Sequence, residues 1–98
     1  MRLSQEEIEA IRRSFAETFE SGALYLFGSR VDDARKGGDI DLYIVPSGEE
    51  DLAMKKIAFL VNLKNRIGEQ KIDVVIDRHK NRAIDRAARQ EGILLWSA

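Results

Sequence analysis

A chain of 98 residues, 44% apolar and 34% charged, has the makings of one soluble domain with a single modest core. Seventeen acids against sixteen bases leave a net charge of −1, so no global positive field draws the chain to nucleic acid, and no direct nucleic-acid binding is expected. Cysteine is absent, which excludes disulfides and thiolate metal sites and fits a reducing, cytoplasmic setting.

The first residues, MRLSQEEIEA, are too polar for a signal peptide, and no run approaches the ~20 apolar residues of a membrane span. Ser4 followed by Glu7 has the spacing of a capping box and predicts a helix start. Ile8, Ile11, Phe15 and Phe19 recur at helical spacing and form one apolar stripe that ends before Ser21-Gly22. Ala23 to Phe27 is a short run of strand type, stopped by Gly28. Arg30 to Gly38 is polar and reads as a loop. Ile40 to Val45 is the clearest strand, with Ile40, Leu42 and Ile44 on one face and Asp39, Asp41, Tyr43 and Val45 on the other.

Pro46-Ser47-Gly48 ends that strand, and a helix is predicted from about Glu50 to Ile67 with Gly68 at its C-cap. Ala53, Ile57, Leu60, Lys64 and Ile67 follow one track of it, and Leu52, Phe59 and Leu63 another; either the helix is broadly buried or the second track is a partner surface. Lys71 to Ile76 is a third strand, presenting Ile72, Val74 and Ile76 to one side and Asp73, Val75 and Asp77 to the other. Asn81 can cap a last helix to about Gln90, Gly92 ends it, and Ile93 to Trp96 form a short terminal strand. The order predicts an α/β (α+β) two-layer domain over residues 1–98, a small mixed β-sheet with helices packed on it.

Carboxylates at i and i+2 of a strand leave the same face, about 6.5–7 Å apart at the backbone, close enough to share one hard cation or bracket two. Asp39 and Asp41 have that spacing, with Ile40 between them directed to the core. Asp73, on the polar face of another strand, is the candidate third acid. Gly28-Ser29 is the candidate phosphate-binding turn: glycine permits close approach, and Ser29 offers a hydroxyl and an amide. Arg30 can add positive charge.

Gly28-Ser29, the polar loop and Asp39-Ile40-Asp41-Leu42 together resemble the signature of the DNA polymerase beta-type nucleotidyltransferase superfamily. The length and the GSR…DIDL wording resemble its minimal nucleotidyltransferases, the MNT branch. Nine residues separate Ser29 from Asp39, slightly fewer than in the usual motif. The resemblance implies a nucleotidyltransferase fold, with Ser29 on the triphosphate and two Mg²⁺ ions on Asp39 and Asp41. It gives Asp73 the remaining metal contact and the general-base role. It implies ATP or another NTP as substrate, and a small helical HEPN-type protein as partner. In such pairs the transferase acts as antitoxin, and some members add AMP to a partner tyrosine. The expected activity is therefore NMP transfer, AMP from ATP above all, to a hydroxyl of a partner protein. The alternatives are an antitoxin that neutralises its partner by occlusion, and a small-molecule nucleotidyltransferase. A homo-oligomer stays open.

The remaining polar residues have plainer readings. Asp32 and Asp33 suit solvation or local capping in the loop. Asp77 suits a solvated strand end, and His79, the lone histidine, has no second soft ligand. Lys55, Lys56, Lys64 and Arg66 default to a solvated helix face. Trp96 is expected to anchor a core or an interface. No GxxxxGK[ST] occurs, which excludes a P-loop.

Overall fold

Among the described residues, seven elements follow one another as α1 (Gln5–Thr18), β1 (Gly22–Phe27), β2 (Ile40–Pro46), α2 (Leu52–Ile67), β3 (Ile72–Ile76), α3 (Ala83–Glu91) and β4 (Ile93–Ser97). They come from a computed structural model that describes residues 3–28 and 39–97. Helix α1 starts where the capping box predicts: Ser4 Oγ accepts from the Glu7 N–H at 3.1 Å and the Ser4 N–H donates to Glu7 Oε1 at 2.9 Å. Helix α2 has no side-chain cap at Asp51, which is left-handed, and it ends at Gly68 as expected. Helix α3 begins later than Asn81, after Arg82.

The strands form one mixed sheet in the order β3-β2-β1-β4. β1 pairs antiparallel with both β2 and β4, and β2 pairs parallel with β3 across the α2 crossover. A parallel pair needs such a crossover, whereas β1 and β2 can be joined directly.

Strand alternation divides the sheet into two faces. Leu24 and Leu26 of β1, Ile40, Leu42 and Ile44 of β2, and Ile72, Val74 and Ile76 of β3 are buried in the core with α1 and α2. Phe15 stacks on Phe19 with centroids 5.4 Å apart, and Phe19 meets Phe59 edge-on at 6.2 Å, tying α1 to α2. A polar clamp joins the same helices: Arg66 donates to Ser14 Oγ at 3.0 Å and to Glu17 Oε2 at 2.8 Å. Helix α3 lies against the other face, because Asp85 meets Tyr43, whose side chain points opposite to Leu42 and Ile44.

The two tracks of α2 are the reverse of one sequence expectation. Leu52, Phe59 and Leu63, the proposed partner surface, are buried in the core. Of the other track Leu60 and Ile67 are partly buried, and Ile57 is exposed beside Met54 and Val61. The sheet takes the track facing Phe19 and Leu42, and sequence periodicity alone cannot say which of two adjacent stripes that is. Trp96 is half-buried against the core, and its indole N–H has no partner among the described residues.

Candidate functional site

The face of the sheet opposite α1 and α2 collects the candidate acids. With Ile40, Leu42 and Ile44 fixed in the core, Asp41 must leave β2 on the far side. Asp39 immediately precedes β2, and Ile40 N–H donates to the Lys71 carbonyl at 3.1 Å, which ties the entrance of β2 to that of β3. The parallel register sets Asp41 beside Asp73, and the antiparallel register sets Asp41 beside Phe27, the residue before Gly28. Asp39, Asp41 and Asp73 therefore share one end of the sheet. Asp73 is exposed, and Asp39 and Asp41 are half-buried.

This crowding has an electrostatic signature. Burial pushes the Asp41 carboxyl above its ordinary value, and repulsion from Asp73 and then Asp39 pushes it further, with Lys71 partly offsetting them. Lys71 also pairs with Asp39, Nζ to Oδ2 at 3.4 Å. The acids do not close into a cage: among the described residues no three carboxylate, histidine or cysteine groups converge as a ready-made metal site. What the three aspartates share is hard oxygen donors and like charge at one end of the sheet.

Gly28 has φ +78°, and a Cβ there would collide with Asp41 Oδ2. The glycine thus allows the chain to turn directly over the Asp41 carboxylate. Ser29 and Arg30, the expected phosphate ligands, lie outside the described residues, as do Asp32 and Asp33.

Beyond the acids, the same face carries an aromatic and ionic cluster that sequence reasoning missed. Tyr43 is fully buried, with Phe27 edge-on at 6.4 Å and Tyr25 tilted at 6.2 Å. Its hydroxyl donates to Asp85 Oδ1 at 3.0 Å. Asp85, also buried, accepts from the Arg82 backbone N–H at 2.7 Å and from the Arg82 guanidinium at 3.0 and 3.1 Å. Arg82 leads the causes holding the Asp85 carboxyl well below the usual range, against the opposing effect of burial; Tyr43 and the backbone bond assist. Burial, then the bond to Asp85, pushes the Tyr43 phenol up. Asp85 is the third residue of α3, a position where an acid satisfies the helix N-terminus. That spacing was the one available signal.

Other candidates prove structural. Asp77 is a turn residue, but buried rather than solvated: Oδ1 accepts from the His79 N–H at 2.9 Å. His79 is exposed, as expected, with Nε2 3.9 Å from Glu49 Oε1. Arg66 belongs to the clamp between α1 and α2.

A family model described as polymerase beta, nucleotidyltransferase matches residues 9–98. A crystal structure of the toxin-antitoxin MntA-HepT is similar, with TM-score 0.72 and 18% identity over 97% of this chain and 74% of that chain. A mutant of that complex, with two aspartates changed to glutamate, gives TM-score 0.73 and 17% identity over 93% and 73%. No curated protein matches the sequence. Among the described residues no helix is long and apolar enough to cross a membrane.

Proposed function

Since the chain belongs to the polymerase beta nucleotidyltransferase family, we propose that it transfers a nucleoside monophosphate, AMP from ATP, to a hydroxyl of a HEPN-type partner protein. The observation that carries this reading is the placement of Asp41 beside Asp73 in the parallel register, next to Asp39 and directly under the Gly28 turn. Such crowded charge, only partly offset by Lys71, is costly unless a further cation joins it. Asp39 and Asp41 would hold Mg²⁺, with Asp73 as the third ligand. Bound Mg²⁺ supplies neutralisation of the charge that develops on the phosphates.

In the reaction the acceptor oxygen attacks the α-phosphorus, the bond to the bridging oxygen breaks, and pyrophosphate leaves. Asp73 takes the acceptor proton; its exposure and its place beside Asp41 in the register suit a group that must meet an incoming hydroxyl. Gly28 and Ser29 would receive the β- and γ-phosphates, with Arg30 beside them. The HEPN assignment rests on the likeness to the MntA-HepT structures.

The test mixes the chain, its HEPN-type partner, Mg²⁺ and ATP labelled at the α-phosphate. Covalent label on the partner is expected, and Asp41→Asn should lower its rate by several orders of magnitude. Near-normal labelling by that variant would remove the catalytic reading. A second reading, neutralisation by occlusion alone, draws on the apolar stripe Met54, Ile57 and Val61, which α2 leaves exposed. Inhibition of the partner that survives both the variant and the omission of nucleotide would favour it.

A further inference from the structure

Strand β3 carries the proposed general base and is also an edge of the sheet, with no strand paired on its outer side among the described residues. Backbone groups of one residue point to one side of a strand, and successive residues alternate. The Lys71 carbonyl accepts from Ile40, and the Asp77 N–H donates to the Ile44 carbonyl at 2.9 Å, so odd-numbered residues from Lys71 to Asp77 face β2. Ile72, Val74 and Ile76 therefore direct their N–H and C=O groups outward. The Ile76 carbonyl is taken by Arg82 at 3.1 Å, and among the described residues nothing takes the outward groups of Ile72 and Val74.

Along this edge runs a cavity of about 250 Å³, lined by Lys56, Arg78 and Arg82 around Val74, Val75 and Ile76. Its charged lining is wholly positive on a chain whose net charge is −1. Arg82 is bound to Asp85, but Lys56 and Arg78 have no hydrogen bond or ion pair among the described residues. Lys56 and Arg78, beside backbone donors and acceptors that no described residue takes, have the chemistry to meet an extended acidic segment.

We propose that this edge receives an extended, acidic, hydroxyl-bearing segment of the acceptor protein by strand addition, and thereby delivers the hydroxyl to Asp73. The delivery rests on the transferase reading; the binding does not. Because Asp73 directs its own backbone groups to β2, an antiparallel added strand meets it as a non-hydrogen-bonded pair, the type in which side chains are closest. The residue opposite Asp73 then shares its face of the sheet. Ile76 lies three residues along β3, about 10 Å at the usual strand rise. Acidic residues two to four positions from the hydroxyl would thus meet Lys56 and Arg78.

The test uses a short fluorescein-labelled peptide of alternating valine and glutamate with one central serine, read by anisotropy without nucleotide or metal. Binding is expected, and Lys56→Glu with Arg78→Glu should weaken it at least tenfold; a lysine-for-glutamate peptide should not bind. Two peptides N-methylated at alternate amides separate strand addition from charge attraction: one register of methylation should abolish binding and the other spare it. Equal binding by both, or none by the unmodified peptide, overturns the proposal, and folding of the charge variants is checked by circular dichroism. In the labelling assay the double variant should raise KM for the partner and hold kcat, whereas Asp41→Asn should lose kcat and keep the peptide. An unchanged KM overturns delivery to Asp73 while leaving the transferase reading intact, and absence of transfer by the unaltered chain would sink that reading with peptide binding still standing. A dimer of the chain alone, dissolved by Lys56→Glu in sedimentation, would assign the edge to a second copy instead.

Discussion

Asp41 is held where its charge is unwelcome, partly out of water and beside Asp73 and Asp39, and that placement ties stability to pH. A carboxyl whose value is raised on folding binds its proton more readily in the folded chain than in the unfolded one. Its contribution to stability is therefore most favourable below the unfolded value of 3.8 and is lost as pH rises through the raised folded value. Removing the charge should reverse the loss. In metal-free protein at neutral pH, Asp41→Asn is expected to raise the melting temperature by a few degrees, an advantage that disappears below 3.8, where both forms are neutral. A lower melting temperature for the variant at neutral pH would contradict the crowding described for this site. Gly28 provides a second test at the same carboxylate. Gly28→Ala adds a Cβ against Asp41 Oδ2 in a backbone conformation with φ +78°, so transfer should fall at least tenfold while circular dichroism stays native. Full activity of that variant would show that Asp41 tolerates displacement.

At the scale of elements, α2 separates what a pattern can say from what only packing decides. Its length, its Gly68 terminus and its amphipathic character could be read from residues 50 to 68, but its orientation could not. Leu52, Phe59 and Leu63 differ little in chemistry from Met54, Ile57 and Val61, and the choice between the stripes depends on what α1 and the sheet present to them. The consequence for stability is large. Phe59 is fully buried between Phe19 and the sheet, so Phe59→Ala should cost about 3–5 kcal/mol. Ile57 is 56% exposed, and Ile57→Ala should stay within about 0.5 kcal/mol. Urea denaturation of both variants checks the pair, and equal losses would mean that the helix is rotated about its axis from the orientation described. The buried Tyr43–Asp85–Arg82 cluster illustrates the same limit. Its members lie on β2 and on α3 with its cap, and only the placement of β2 against α3 brings them together.

Across the whole molecule, the order of elements and the faces of the strands were legible because alternation forces them. Once Ile40, Leu42 and Ile44 belong to a core, Asp41 has one direction left, and the same holds for Asp73 between Ile72 and Val74. The pairing of Asp41 with Asp73 was not legible, because it depends on a parallel register set by the α2 crossover. Nor was the open edge of β3, since strand order across a sheet is a property of the assembled chain. That parallel pair also has a bearing on how the protein reaches its native state. β1 and β2 are neighbours in sequence, whereas the whole of α2 separates β2 from β3. Pairings of such sequence separation carry a loop-closure cost and form slowly. The acid set is therefore a product of the α2 crossover: the contact that places Asp41 beside Asp73 carries a larger loop-closure cost than the pairing of β1 with β2.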